Sequence, residues 1–184
     1  MYILASVVLV AAAALVFFTW PVPRRPHAPA RVEASDLDAA LSEPIAVVKE
    51  QIENKHPATY FVLAQRLFAR DRKDEAVFWF YVGLIRSRGY LAGPLGAREA
   101  AQFQALWDAV EPAIDDHAFG DIRALAAAIN RALAWDEMRP DPYVPHAAVR
   151  DRVRNGLRRM RFELLARREA FQGEQIRLAR NIPS

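Results

Sequence analysis

The sequence predicts an all-α protein, and three observations lead to this class. Apolar residues recur at helical spacing in successive segments after residue 42. Turn signals built from proline, glycine or clustered charges separate these segments. The chain of 184 residues is long enough for one domain with a sizeable core. We therefore predict an N-terminal transmembrane helix followed by a domain of five to six helices at 42–184.

The composition excludes several kinds of site. The chain has no cysteine, which rules out disulfides, thiolate metal sites, a cysteine nucleophile and a lipidated cysteine. The net charge of +3 is mildly basic, and all basic residues except Lys49, Lys55 and Lys73 are arginines. The sequence also lacks an H-x-x-x-H motif, a nucleophile elbow and a glycine-rich phosphate loop. We predict neither a cofactor nor an enzymatic activity.

The first twenty residues carry no charged side chain and are followed by Pro21. Nineteen helical residues span about 28 Å, close to the hydrocarbon core of a bilayer. We interpret 1–20 as an uncleaved transmembrane anchor. A cleaved signal peptide is the alternative, but its cleavage motif at 28–30 lies far from the apolar run and contains Pro29. Arginines at 24, 25 and 31 favour a cytoplasmic domain, whereas short bacterial anchors often deliver a periplasmic one, so both sides remain open.

Residues 21–41 are predicted to form a stiff linker, because Pro21, Pro23, Pro26 and Pro29 favour extended backbone. Ser42 is a suitable N-cap for a helix whose first turn tolerates Pro44. The apolar stripe of that helix ends near Asn54.

A helix pair at 57–90 organises the domain. The first helix carries apolar residues at helical spacing, and the charged run 70–73 forms the turn. Asp74 can cap the second helix, which is apolar around nearly its whole circumference and should therefore be central. We expect its aromatic side chains to be covered by the helices that carry Trp107 and Trp135.

This pair resembles a single tetratricopeptide or Sel1-type repeat. The matching positions are Tyr60, Leu63, Ala64 and Leu67 in the first helix and Ala76, Phe80 and Gly83 in the second. Arg88 replaces the expected terminal proline, and the sequence holds no second copy. The resemblance implies a protein-binding scaffold whose concave surface comes from the first helix, at Phe61, Gln65 and Phe68. Burial under the helices that cap the pair is the alternative, above all for the two phenylalanines.

Three further helices are predicted. The first spans about 98–114, where Pro112 ends or kinks it, and the second spans 122–137. A proline-rich loop then leads to a long helix at about 147–180. The stretch between the first two is interpreted as a connector.

Two sets of polar side chains are candidate sites. Asp115, Asp116, His117 and Asp121 could bind a hard divalent cation, although Asp121 equally suits a helix cap. Eight arginines surround the apolar line of the last helix and could face an acidic protein, lipid headgroups or nucleic acid. The representatives of that face are Arg154, Arg158 and Arg161. A solvated helix surface is the alternative.

Three functional hypotheses follow. The first is a non-enzymatic protein-binding or scaffolding module, tethered to a bacterial inner membrane by a single span, with an acidic protein as one candidate partner. The second is an immunity protein that neutralises a secreted toxin at the envelope. The third is a metal-dependent hydrolase that uses the cluster at 115–121. Neither nucleic acid nor a small-molecule substrate is favoured as the partner.

Overall fold

The computed structural model describes residues 34–93, 96–144 and 146–180, with side chains for all of these except 34–35, 97–98 and 169–180. Every regular element in these ranges is a helix, which confirms the all-α prediction for the described chain. The elements are α1 (Ala34–Ser42), α2 (Ile45–Gln51), a 3₁₀ turn (Ile52–Asn54), α3 (Thr59–Phe68), α4 (Lys73–Leu91), α5 (Gly96–Ala118), α6 (Ile122–Glu137) and α7 (Ala147–Arg180).

The predicted transmembrane anchor at 1–20 lies outside the described residues. None of the helices within the described ranges combines the length and the apolar character needed to cross a membrane.

The predicted linker at 21–41 is wrong in its last part, because residues from Ala34 onward form α1. Ser42 ends this helix instead of capping the next one, and its hydroxyl donates to the Asp38 carbonyl at 2.7 Å. The buried Ala40 on this helix packs into the core. The additional helix raises the number of described α-helices to seven, above the five or six predicted.

The helix pair α3–α4 forms the centre of the domain. Thirteen of the nineteen residues of α4 are buried, and this helix packs against α3, α5, α6 and α7. The two helices are joined by a turn in which Asp71 adopts a positive φ of 60°, a conformation that aspartate tolerates better than most residues. Asp74 lies in the first turn of α4 but does not cap it, since the helix begins at Lys73 without a side-chain cap.

The aromatic residues of α4 are covered largely as predicted. Trp79 packs against Trp135 of α6 with ring centroids 5.5 Å apart, and Phe80 packs against Trp107 of α5 at 4.9 Å. Each contact joins α4 to a different helix, so several surrounding helices together cover the apolar circumference of α4.

Helix α5 is longer than predicted at both ends. Pro112 lies inside it and is exposed, and the helix continues through the predicted connector to Ala118. Burial of Ile114 and Ala118 on the core side offsets the hydrogen bond that Pro112 cannot make. The predicted bounds of α6 and α7 are confirmed.

Gly83 allows α3 and α4 to approach closely. A Cβ atom at this position would lie 2.9 Å from the Cβ of Tyr60, which sits on the α3 backbone and cannot move alone. We expect Gly83→Ala to lower the free energy of unfolding by about 1–3 kcal/mol in a denaturant titration, the range for overpacked cores.

Gly89→Ala is the matched control for this substitution. Its added Cβ would meet only the side chain of Val144, whose two methyl carbons lie 3.0 and 3.4 Å away. The helix propensity gained from alanine should offset that contact, and we expect a change within about 1 kcal/mol. Equal losses in both variants would contradict the close-approach role of Gly83.

Candidate functional site

The arginines of α7 divide into an inner set that holds the helix and an outer set that faces solvent. The inner set is represented by Arg154, whose Nε donates to Oδ2 of Asp136 at 2.7 Å. Its Nη2 also donates to the backbone carbonyl of Asp136 at 2.9 Å. Arg154 therefore joins α7 to the last turn of α6 and does not lie on a partner-facing surface, which corrects its prediction as a binding residue.

Asp136 also pairs with a buried arginine of α4. Its Oδ1 lies 2.5 Å from Nε of Arg86, and these side chains are only 1% and 2% exposed. The guanidinium of Arg86 additionally donates to the carbonyls of Pro140 and Arg139 at 3.0 and 3.2 Å. Asp141 lies 3.6 Å away and adds a second carboxylate. Two carboxylates and two carbonyls thus balance a charge that would be costly to bury alone.

One ion pair and one longer-range charge interaction show that α6 and α7 run antiparallel. Glu137, at the end of α6, pairs with Arg158. Arg168 lies close enough to Asp121, at the start of α6, to favour the charged form of its carboxylate. One end of α6 therefore faces Arg154 and Arg158, and the other faces Arg168.

The opposite side of α7 is a solvent-exposed surface, which we call the outer face. Phe162 on this face is 70% exposed, although phenylalanine is among the residues most often buried. Its exposed neighbours are mostly charged, namely Asp151, Arg152, Arg158, Arg159, Glu163 and Arg167. A large aromatic ring among arginines is typical of contact residues at protein interfaces.

The predicted binding residues of α3 do not form one surface. Phe61 is 1% exposed, and its ring packs against Phe80 and Phe103 with centroids 5.6 and 6.4 Å apart. This burial under α4 and α5 corrects the prediction that Phe61 contacts a partner. Gln65 is exposed and Phe68 is half-buried. The concave surface implied by the repeat resemblance is therefore closed by the chain itself.

Arg161 of α7 lies between the inner and outer sets. Its side chain is half-buried, and its Nε atom is buried without a hydrogen-bond partner among the described residues. It occupies the position two turns after Arg154, on the side of α7 that packs against the core. Of the three predicted arginines on this helix, only Arg158 is exposed.

The four candidate metal ligands lie in different surroundings. Nε2 of His117 lies 2.9 Å from Oδ1 of Asp74, and Asp116 is exposed. Asp121 is the N-cap of α6, with its Oδ1 accepting from the backbone N–H groups of Arg123 and Ala124 at 2.9 and 3.1 Å. Within the described ranges, no three side chains of the metal-ligating types converge on one point.

The remaining candidate ligand, Asp115, is a partly buried residue in the last turn of α5. Burial, together with the carboxylates of Glu111 and Asp116, raises the pKa of Asp115 to about 7. The carboxylates of Asp115 and Glu111 add to burial in raising the pKa of Tyr81.

A buried polar cluster around His56 was missed from the sequence. Nε2 of His56 lies 3.0 Å from Oε2 of Glu99, and the two side chains are 5% and 6% exposed. The backbone N–H of Ala58 donates to Nδ1 of His56 at 3.3 Å, so Nε2 carries the hydrogen of the neutral ring and faces Glu99 without an aligned hydrogen bond. The hydroxyl of Tyr90 donates to the other oxygen of Glu99 at 3.0 Å. These contacts join the start of α5 to the end of α4 and to the segment before α3.

Burial controls the ionisation of this cluster. It lowers the pKa of His56 to about 4, although the Asp36 carboxylate, which accepts the His56 backbone N–H at 3.0 Å, opposes that shift. Burial also raises the pKa of Glu99, an effect that its bond from Tyr90 partly offsets. Enclosed by the rings of Tyr90, Phe103 and Tyr143, the histidine is a structural core residue.

Comparison with protein-family models, with curated proteins and with solved structures finds no match.

Loss of the Asp136 charge should destabilise the domain strongly. Asp136→Asn keeps the size of the side chain but leaves Arg86 without its closest counter-charge, and we expect a loss of about 3–5 kcal/mol in the free energy of unfolding. The adjacent exposed pair supplies the control, since Glu137→Gln should cost about 1 kcal/mol or less. A small effect of Asp136→Asn in urea titrations would show that the buried network does not stabilise the fold.

Because of His56, the free energy of unfolding of the domain should decrease in mild acid. Its pKa is about 4 in the folded protein and 6.5 in the unfolded chain, so the unfolded state binds the extra proton between these values. The stability that His56 contributes is therefore lost as the pH falls from about 6.5 to 4, with a slope of at most about 1.4 kcal/mol per pH unit.

The His56→Gln variant isolates this contribution, because Glu99 remains in both proteins and its raised pKa acts in the opposite direction. We expect the difference in stability between wild type and variant to shrink from pH 7 to pH 4 in chemical denaturation. A constant difference over that range would contradict the buried neutral histidine.

Proposed function

We propose that this chain is a protein-binding module tethered to a bacterial inner membrane. The observation that carries the proposal is the 70% exposed Phe162 on the arginine-rich outer face of α7. Covering a phenylalanine side chain is worth about 1.5–3 kcal/mol, a gain that folding leaves unused at this position. A partner that covers Phe162 would obtain that free energy.

The outer face is available for binding because its side chains contribute little to the packing of the domain. Helix α7 is fixed from its other side by Leu157, which is fully buried, and by Arg154. A partner would meet a surface whose backbone is already ordered, and the entropy cost of binding would be correspondingly small.

The helix pair supports the proposal in a different way from that implied by its resemblance to a tetratricopeptide or Sel1-type repeat. With Phe61 buried, α3 serves as a rigid interior and not as a binding groove. The binding role is therefore assigned to the last helix. Among the described helices, only α4 and α6 make substantial contact with it.

The membrane attachment rests on the uncharged segment 1–20 and the proline-rich residues that follow it. A tether confines the domain near the membrane and raises the local concentration of any partner at the same surface. Weak contacts on the outer face would then suffice for a stable complex.

Photo-crosslinking in intact cells tests this function. A photoreactive amino acid at position 162 of the full chain should give a discrete adduct with one protein, because that side chain lies inside the proposed contact. The control position is Gln102, which is exposed on α5, a helix with no substantial contact to α7. Identical patterns at the two positions, or no adduct at 162, would refute the proposal.

The identity of the adduct separates two forms of the proposal. A resident envelope protein would indicate a scaffold, whereas a secreted toxin would indicate an immunity protein. In the second case, deletion of the chain should make cells sensitive to that toxin.

A further inference from the structure

Two exposed apolar side chains flank a single ion pair at the junction of α6 and α7. Among the described residues, the exposed large hydrophobic side chains are Leu41, Met138 and Phe162, at 58%, 73% and 70%. Met138 directly follows Glu137, and Phe162 lies one helical turn after Arg158. Because Glu137 pairs with Arg158, each apolar residue is next to, or one turn from, one member of the same ion pair between the two helices. We call the surface formed by these four residues the seam.

The α7 side of the seam is predominantly positive. Arg159 is exposed next to Arg158, and the outer face of α7 carries four exposed arginines against two acidic residues, Asp151 and Glu163. A ligand that brings carboxylates to this region would gain charge-assisted hydrogen bonds from guanidinium groups.

The shape of the seam fits an elongated ligand. Helices α6 and α7 pack side by side and run antiparallel, so an elongated ligand could follow their line of contact. Exposed alanines lie one turn from each apolar residue, Ala134 before Met138 and Ala166 after Phe162. Small side chains at these positions leave room for a third helix to approach.

We infer that the seam binds an acidic amphipathic helix of the partner protein. Apolar residues of that helix would cover Met138 and Phe162, and its carboxylates would contact Arg158 and Arg159. This is the helix-in-groove mode of recognition, with anchors on one face of the bound helix. The inference rests on the proposed binding function and adds the chemistry of the partner.

The charge pattern favours a protein helix over an anionic lipid surface. Asp151 and Glu163 lie on the outer face among the arginines, and Glu163 directly follows Phe162. A continuous layer of anionic headgroups would repel both acids, whereas a helix places its carboxylates at discrete positions and can avoid them.

A peptide titration tests the inference on the full chain in nonionic detergent micelles, with empty micelles as the baseline. The probe is a fluorescent twenty-residue helical peptide with leucine on one face and glutamate on the other. The control peptide carries lysine in place of every glutamate. We expect the acidic peptide to bind and the lysine peptide not to bind. The affinity for the acidic peptide should fall with rising salt because the contacts are charged.

Variants of the seam should weaken this binding selectively. Charge reversal by Arg158→Glu with Arg159→Glu should raise the Kd at least tenfold, and Met138→Ala or Phe162→Ala should each raise it about threefold to tenfold. Leu41→Ala and Arg70→Glu are the matched controls, because both residues are exposed on other helices or turns. Their Kd values should stay within about twofold of wild type.

Three results would overturn the inference. These are an absence of acidic-peptide binding, an unchanged Kd after charge reversal, and a loss of affinity in Leu41→Ala equal to that in Phe162→Ala.

A further experiment uses vesicles of zwitterionic lipid with one quarter anionic phosphatidylglycerol. If the chain binds these vesicles but not the peptide, and the binding depends on Phe162, the seam would be assigned to the membrane. A crosslink from position 162 without peptide binding would leave the proposed function intact and reject only the acidic helix, whereas failure of both experiments would reject both.

Discussion

The Asp136 carboxylate is the contact on which the arrangement of α4, α6 and α7 depends. It receives Arg86 from α4 and Arg154 from α7, while its own backbone belongs to α6. Removing either arginine would leave a buried negative charge unbalanced, and removing Asp136 would leave two arginines competing for the carbonyls nearby. Hydrophobic packing brings the helices together, but packing alone tolerates several registers. The directed ion pairs select the register in which Glu137 meets Arg158.

This register explains how one helix can serve both folding and recognition. Arg154 is used to hold α7 in place, whereas Arg159 and Phe162 on the outer face remain open to solvent. Binding surfaces benefit from rigid support because less conformational entropy is lost when a partner arrives. The burial of Phe61 removes the alternative surface on α3, so the recognition proposed for the chain is concentrated on α7 and its junction with α6.

Much of the fold follows from the sequence, because helical periodicity and turn residues mark most elements. The bounds of α6 and α7 and the central position of α4 could be predicted in this way. The continuation of α5 past Pro112 could not, since it depends on tertiary burial of Ile114, which local propensity does not contain. The buried role of Arg86 was also missed, although an arginine directly after the apolar run 76–85 was a usable signal. The partners of His56 come from distant segments, and no spacing in the sequence relates His56 to Glu99.

Amide hydrogen exchange on the full-length Arg154→Ala variant tests most directly whether α7 is held from its inner side. The Asp136 contact joins α7 to α6 and α4, so its loss should accelerate exchange in α7 between residues 150 and 168 by at least about tenfold, while amides of α3 and α4 keep their protection. The Arg159→Ala variant should exchange like the wild type, because its side chain lies on the outer face. Unchanged protection of α7 in Arg154→Ala, or equal acceleration in Arg159→Ala, would contradict the division of the α7 arginines into a structural inner set and an outer set available for binding.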